Sequence, residues 1–153
     1  KKEQEVYDSI LLDAPCSSER HVLNDEKYLK EWTPSRIKNI SQEQWALLSS
    51  AWRLLKSGGY LLYSTCAIAN QENDSNIEKL LKKFDNCLVI EKNVQNQIFT
   101  ERSQKLSQIF NSDDCDLIKK TFTLAESTRY GSIILPDKAF SAGPIYFSLL
   151  QKN

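Results

Sequence analysis

The sequence predicts an α/β fold with a parallel sheet, and three observations carry that expectation. Tyr7-Asp8-Ser9-Ile10-Leu11-Leu12 and Tyr60-Leu61-Leu62-Tyr63 are short apolar runs bounded by turn signals, the pattern of buried strands. A stretch of helical periodicity lies between them, which gives the strand–helix–strand rhythm of a parallel pair. Each strand then delivers small residues and a cysteine: Asp13-Ala14-Pro15-Cys16 after the first, Ser64-Thr65-Cys66 after the second. In open α/β sheets the carboxyl ends of the strands are where ligands bind and reactive side chains sit.

A chain of 153 residues supports one domain with a real core. Its 41% hydrophobic and 26% charged residues are ordinary for a globular protein. Twenty basic and twenty acidic side chains cancel, so binding to nucleic acid has to rest on a local patch. No run of about 18 apolar residues is present to span a membrane. Lys1-Lys2-Glu3-Gln4-Glu5 is polar and does not read as an export signal. The four cysteines, Cys16, Cys66, Cys87 and Cys115, have no CxxC spacing and only one histidine, His21, accompanies them, so no metal site is expected. Without an export signal the cysteines read as reduced thiols, Cys87 and Cys115 as small buried hydrophobes.

Taken in order, the first strand spans about residues 7 to 12, and Pro15 stops regular pairing. A buried-type strand at the very start needs neighbours that only later elements supply, which suggests the carboxyl half of a larger domain. Residues 17 to 40 read as a long loop with a short helical piece. Within it Arg20, His21, Lys27, Lys30, Arg36 and Lys38 interleave with Tyr28 and Trp32, a nucleic-acid contact pattern. The acids Glu19, Asp25, Glu26 and Glu31 equally allow a solvated loop. Ser41 and Gln44 fit a capping box that opens an amphipathic helix of about 14 residues, with Trp45, Leu48, Trp52 and Leu55 on its apolar stripe. Gly58-Gly59 is expected to close that helix. Asn70 to Phe84 reads as a second helix, with Ile77, Leu80, Leu81 and Phe84 inward, acids early and lysines late. Cys87-Leu88-Val89-Ile90 is a third strand. Residues 93 to 130 read as an extended excursion with one short helix, Glu101 to Phe110. Gly131 to Pro136 and Ile145 to Leu150 are the last strands.

Three chemistries compete for Cys16 and Cys66. A cysteine hydrolase needs a histidine base, and His21 stands alone in a loop after the first strand. A redox pair is open, since the two strand ends can be adjacent. Covalent catalysis on a pyrimidine is the third, and there the residues match a family. Asp13-Ala14-Pro15-Cys16 followed by Tyr63-Ser64-Thr65-Cys66 resembles the Sun-type S-adenosylmethionine-dependent RNA (cytosine-5) methyltransferases. Trp32, Arg36, Ile40, Gln44, the Leu-rich helix, Gly58-Gly59 and the ending Gly143-Pro144-Ile145-Tyr146-Phe147 are similar too. Ser17-Ser18-Glu19-Arg20-His21 looks like a subgroup with bacterial and organellar members.

The resemblance implies a Rossmann-like class I methyltransferase fold, its carboxyl-terminal half only, with parallel strands at 7–12 and 60–65 and an antiparallel terminal element. It implies methylation of cytosine C5 in rRNA or tRNA, with S-adenosylmethionine as cofactor. Cys66 would be the nucleophile on C6, and Cys16 would serve product release. Asp13 would lie between cofactor and base. Pro15 would shape the base pocket, with Thr65, Arg20 and Arg36 also against the substrate. The family's glycine-rich cofactor loop is expected upstream of Lys1, so the chain alone is expected to be poorly active or inactive. The rival reading is a non-catalytic RNA-binding or scaffold piece of the same fold. A bare first strand further suggests a homodimer through Ile10, Leu11 and Leu12. No membrane partner is expected, and the setting implied is cytoplasm or mitochondrial matrix.

Overall fold

The computed structural model describes residues 5–95, 97, 108–109, 111–137 and 143–153. The elements run β1 (Tyr7–Asp13), α1 (Glu19–Asn24), a 3-10 turn (Glu26–Lys30), α2 (Pro34–Leu54), β2 (Leu55–Thr65), α3 (Asp74–Lys83), β3 (Cys87–Val89), α4 (Ser112–Thr123), β4 (Glu126–Ser127), β5 (Ser132–Ile134) and β6 (Ile145–Lys152). They form one mixed sheet in the order β1-β2-β6-β5-β4, with β3 also on β6. β1 and β2 are parallel, while β6 runs antiparallel to β2 with Tyr63 opposite Ser148. β5 and β3 share one side of β6, β5 at its start and β3 at its end. The expected α/β architecture is therefore present, parallel pair and antiparallel end included.

The core lies on one face of this sheet. Alternate residues of β2 and β6, Leu61, Tyr63, Tyr146 and Leu150, are buried there against Leu48 and Trp52 of α2 and Ile77 and Leu80 of α3. The opposite face is covered only in part: Phe147 packs there against Phe122 of α4, ring centroids 5.5 Å apart, in a cluster with Ala125 and Ile134. Tyr60 is 39% exposed and Leu11 is 69% exposed, since α2 and α3 both pack on the core side. β1 forms the edge of the sheet, with Ile10 and Leu12 half-buried against the core cluster.

Several boundaries differ from the sequence reading. Helix α2 starts at Pro34, not after Ser41: Thr33 is the cap, its side chain accepting from the Arg36 amide at 3.2 Å, and proline takes the first helical position. Ser41 lies inside the helix and donates to the Gln71 carbonyl at 2.7 Å. The first turns carry only Ile37 as a buried apolar residue, so periodicity did not mark them. At its other end α2 stops at Leu54, before the glycines. The buried Lys152 ammonium takes the orphan carbonyls there, donating to Leu55 O at 2.7 Å and Trp52 O at 3.3 Å.

Gly58 and Gly59 instead form a bulge inside β2. Tyr7 pairs with Leu55 but Ser9 pairs with Tyr60, so β2 carries extra residues there. Gly58 has φ +78°, and a Cβ at Gly59 would come 2.9 Å from the Asp8 carbonyl oxygen. The second expected helix is shorter than read, Asp74–Lys83, with residues 70–73 forming the turn that leads into it. Within the expected excursion of 93–130 the chain forms α4, capped by Asn111, whose side chain accepts from the Asp114 amide at 2.8 Å, and then β4. The helix expected over Glu101 to Phe110 falls outside the described residues, except for 108–109, which form a turn.

Candidate active site

The register of β1 on β2 ends with Asp13 opposite Ser64, and the Ala14 amide donates to the Ser64 carbonyl at 2.9 Å. The two chains therefore leave the sheet side by side, each carrying its cysteine a few residues on. Cys16 and Cys66 have Cα atoms 6.2 Å apart and their sulfurs are in bonding contact. Adjacent parallel strand ends thus bring the two cysteines within disulfide reach. Cys87 and Cys115 are buried as expected. Burial pushes the Cys87 thiol up to about 12, which leaves it inert. Ser18, in a left-handed conformation at φ 59°, sets its hydroxyl 3.6 Å from each sulfur of the pair. Both cysteines are half-buried and so remain accessible.

Beneath this pair lies a buried polar network that periodicity did not reveal. Gln44, fully buried on α2, donates to the Pro15 carbonyl and to Glu72 Oε2, each at 2.8 Å. Glu72 Oε2 also accepts from the Ser17 amide at 2.9 Å. Asn76 donates to Gln44 Oε1 at 3.0 Å, and the Tyr63 hydroxyl donates to the Glu72 carbonyl at 2.6 Å. The available signal was the continuation of the α2 stripe: Ser41 and Gln44 extend the Leu48–Trp52 face with polar residues, as buried polar positions do. Ser18, Glu72, Asn73 and Asn76 had no such marker.

Thr65 sits differently from the other expected substrate contacts. Expected against the substrate, it is 1% exposed and turned inward. Its hydroxyl donates to Asn73 Oδ1 at 2.6 Å and accepts from the Ala67 amide at 3.2 Å, so it braces the turn that carries Cys66.

On the outer side of the cysteines is a cavity of about 210 Å³, lined by Ser17, Ser18, His21, Tyr28, Trp32 and Arg36 among others. His21 and Tyr28 rings lie 5.5 Å apart, and Arg36 meets Glu31 at 3.3 Å. His21, Tyr28, Trp32 and Arg36 thus converge beside Ser18, whereas Lys27, Lys30 and Lys38 do not line the cavity. Pro15 and Arg20 are both exposed, and neither is part of the cavity lining. Among the described residues no cluster of three or more His, Cys, Asp and Glu side chains is placed to hold a metal ion. No described helix is long and apolar enough to cross a membrane.

The chain has the fold of part of a Rossmann-like methyltransferase domain, as solved structures of similar shape show. PH0851 aligns over 97% of this chain and 27% of its own, with TM-score 0.66 and 26% identity. The chain also superposes on Pyrococcus horikoshii NSun6 with SFG, an S-adenosylmethionine analogue, over 97% of this chain and 30% of that one, with TM-score 0.59 and 23% identity. The sequence matches the RsmB/F family of 16S rRNA methyltransferases over residues 1–118, and the chain belongs to that family. Relatives include the ribosomal RNA small subunit methyltransferase F of Aeromonas salmonicida, 46% identical over 57% of this chain and 18% of the relative. That of Aliivibrio salmonicida is 30% identical over 97% of this chain and 32% of its own length. The chain thus spans no more than about a third of these relatives.

S-adenosylmethionine is the methyl donor of this family. Of the residues described, Asp13 fits it: an exposed carboxylate at the carboxyl edge of β1, with Oδ1 held by the Ser64 hydroxyl at 3.2 Å and acceptor capacity left over.

Burial pushes the Glu72 carboxyl above its ordinary value of 4.5; hydrogen bonds from Ser17 and Gln44 pull it down, and the Glu19 charge adds to the rise. The other titratable group against it is Tyr63, itself raised by burial. A carboxyl raised by folding binds more protons in the native state, so its contribution to stability is full below the ordinary value and is lost as pH rises through the raised one. Urea unfolding from about pH 4 to about pH 8 is therefore expected to show stability falling over this window, and Glu72→Gln should flatten that fall. An identical pH slope in the variant would contradict the assignment.

Proposed function

We propose that this chain carries the reacting residues of an enzyme that methylates C5 of a cytosine in small-subunit ribosomal RNA through a covalent cysteine adduct. The observation that carries this reading is the convergence of Cys16 and Cys66 at the ends of two adjacent parallel strands, beside Asp13 and next to an aromatic and basic cavity. The chemistry starts from the reduced pair. The Cys66 thiolate adds to C6 of the base, which moves electron density to C5. The cofactor, when bound, supplies an electrophilic methyl group to C5. Loss of the C5 proton and departure of the Cys66 sulfur then restore the aromatic base. Cys16, on the neighbouring strand end, assists that release. Asp13 accepts a hydrogen bond from the cytosine edge, and Pro15 lines the base site.

A base that reacts this way must be out of its stack, and the cavity of His21, Tyr28, Trp32 and Arg36 has the composition to hold a flanking nucleotide. Arg36 would meet its phosphate, with Arg20 farther out along the same strand. A cytoplasmic setting follows from the bacterial relatives under this reading.

In the complete enzyme, Cys66→Ala should abolish methylation and adduct formation. Cys16→Ala should accumulate an RNA–protein adduct that survives denaturing electrophoresis. An active Cys66→Ala variant, or a Cys16→Ala variant that turns over without trapping RNA, would overturn the assignment. The edge of β1, with Leu11 69% exposed, is also free to pair with a second strand. For residues 1–153 alone we propose a dimer through Ile10, Leu11 and Leu12. Light scattering should return twice the chain mass, and a monomer at high concentration would rule the dimer out.

A further inference from the structure

The two residues that lead into α3, Glu72 and Asn73, are buried side by side in the chain, and each serves a different cysteine loop. Cys16 sits beyond the last β1–β2 pairing, with no sheet partner of its own. The peptide before it is held at the Pro15 carbonyl by Gln44, and the peptide after it at the Ser17 amide by Glu72. Gln44 and Glu72 are themselves bonded at 2.8 Å. With both flanking peptides anchored, rotation about the Cα–Cβ bond is the main freedom left to the thiol. Asn73 does the equivalent for Cys66. Its Oδ1 accepts from the Thr65 hydroxyl at 2.6 Å, and its Nδ2 donates to the Ala67 carbonyl at 2.9 Å, one residue on either side of the cysteine.

A carboxyl group at 0% exposure is costly where it makes no compensating bonds, and Glu72 leaves Oε1 without a partner. An apolar residue would fill that space at less cost, so the carboxylate has to be explained by what it holds.

We infer that Glu72, with Gln44, and Asn73 are positioning residues that fix the two cysteine loops against one another from a single rigid turn. The sheet brings the thiols to one edge, and the Glu72-Asn73 dipeptide then sets the distance between them. The inference rests on the proposed function only for its catalytic meaning, since a nucleophile and its partner in product release need a fixed separation. The clamp itself is read without RNA.

The test uses this chain in graded mixtures of reduced and oxidised glutathione, measuring the fraction of Cys16–Cys66 disulfide by alkylation and mass spectrometry. Each disulfide formed passes two electrons to one oxidised glutathione, and the two cysteine protons leave with the two glutathione thiols released. In Glu72→Ala and Asn73→Ala chains whose circular dichroism matches the parent, the pairing constant should fall about tenfold, because each freed loop dilutes one thiol from the other. Glu72→Gln keeps an amide oxygen that can accept from both Ser17 and Gln44, as Oε2 does, and sets its NH2 where Oε1 has no partner, so its constant should stay close to the parent's. A side chain that merely fills the core would lower the melting temperature and leave pairing in the folded chain unchanged, and that result would overturn the inference. Should the alanine variants not fold, Glu72→Leu, which fills the space without an acceptor, decides it: a parental constant rejects the clamp, and a fall of about tenfold supports it. Failure of Cys16→Ala to trap RNA would reject the proposed function and leave the pairing result standing.

Discussion

Everything in this molecule that bears on chemistry depends on the register of β1 against β2. Parallel pairing makes two strands end at the same edge, and the match of Asp13 with Ser64 makes them end at the same height. From there each chain has only a short span in which to deliver its cysteine, so proximity of the thiols follows from the sheet. A slip of one residue would turn Leu61 and Tyr63 out of the core and swing Cys66 to the other face. The register is itself guarded by the bulge at Gly58 and Gly59, where the approach of Asp8 leaves no room for a side chain.

The second constraint is a polar one. Helices α2 and α3 cover one face of the sheet with ordinary apolar packing at Leu48, Trp52, Ile77 and Leu80. Toward the carboxyl ends of the strands that packing gives way to Ser41, Gln44, Glu72, Asn73 and Asn76, all buried and nearly all bonded. The division is physical. Apolar residues fix the helices to the sheet without direction, whereas hydrogen bonds hold particular backbone groups at particular places. The core thus changes from adhesive to directional where the reactive residues begin.

How far the sequence reveals this depends on which of these forces writes the pattern. Strands β1, β2 and β6 were legible because apolar runs and turn residues mark them, and the cysteines at their ends stood out for the same reason. Helix α2 was legible only where its stripe is apolar; the turns from Pro34 to Asn39 carry a proline start and a threonine cap but little periodicity. Helix α4 went unread although Cys115, Ile118 and Phe122 recur at helical spacing behind an asparagine cap. Thr65 looked like a substrate contact because it neighbours Cys66, yet alternation along β2 puts it on the buried face with Leu61 and Tyr63. The roles of Glu72, Asn73 and Lys152 come from partners far away in the chain, and no local pattern announces them.

The account stands most directly on the claim that the two strand ends place Cys16 and Cys66 in one centre. The decisive measurement is titration of the reduced chain with a trivalent arsenical, which bridges two thiols only when they are close together. One equivalent should bind, survive an excess of monothiol, and be lost in either Cys16→Ala or Cys66→Ala, while buried Cys87 and Cys115 stay unreacted. An arsenical that monothiol strips away, or one held equally well without Cys16, would mean the thiols are not neighbours and the site does not exist as described.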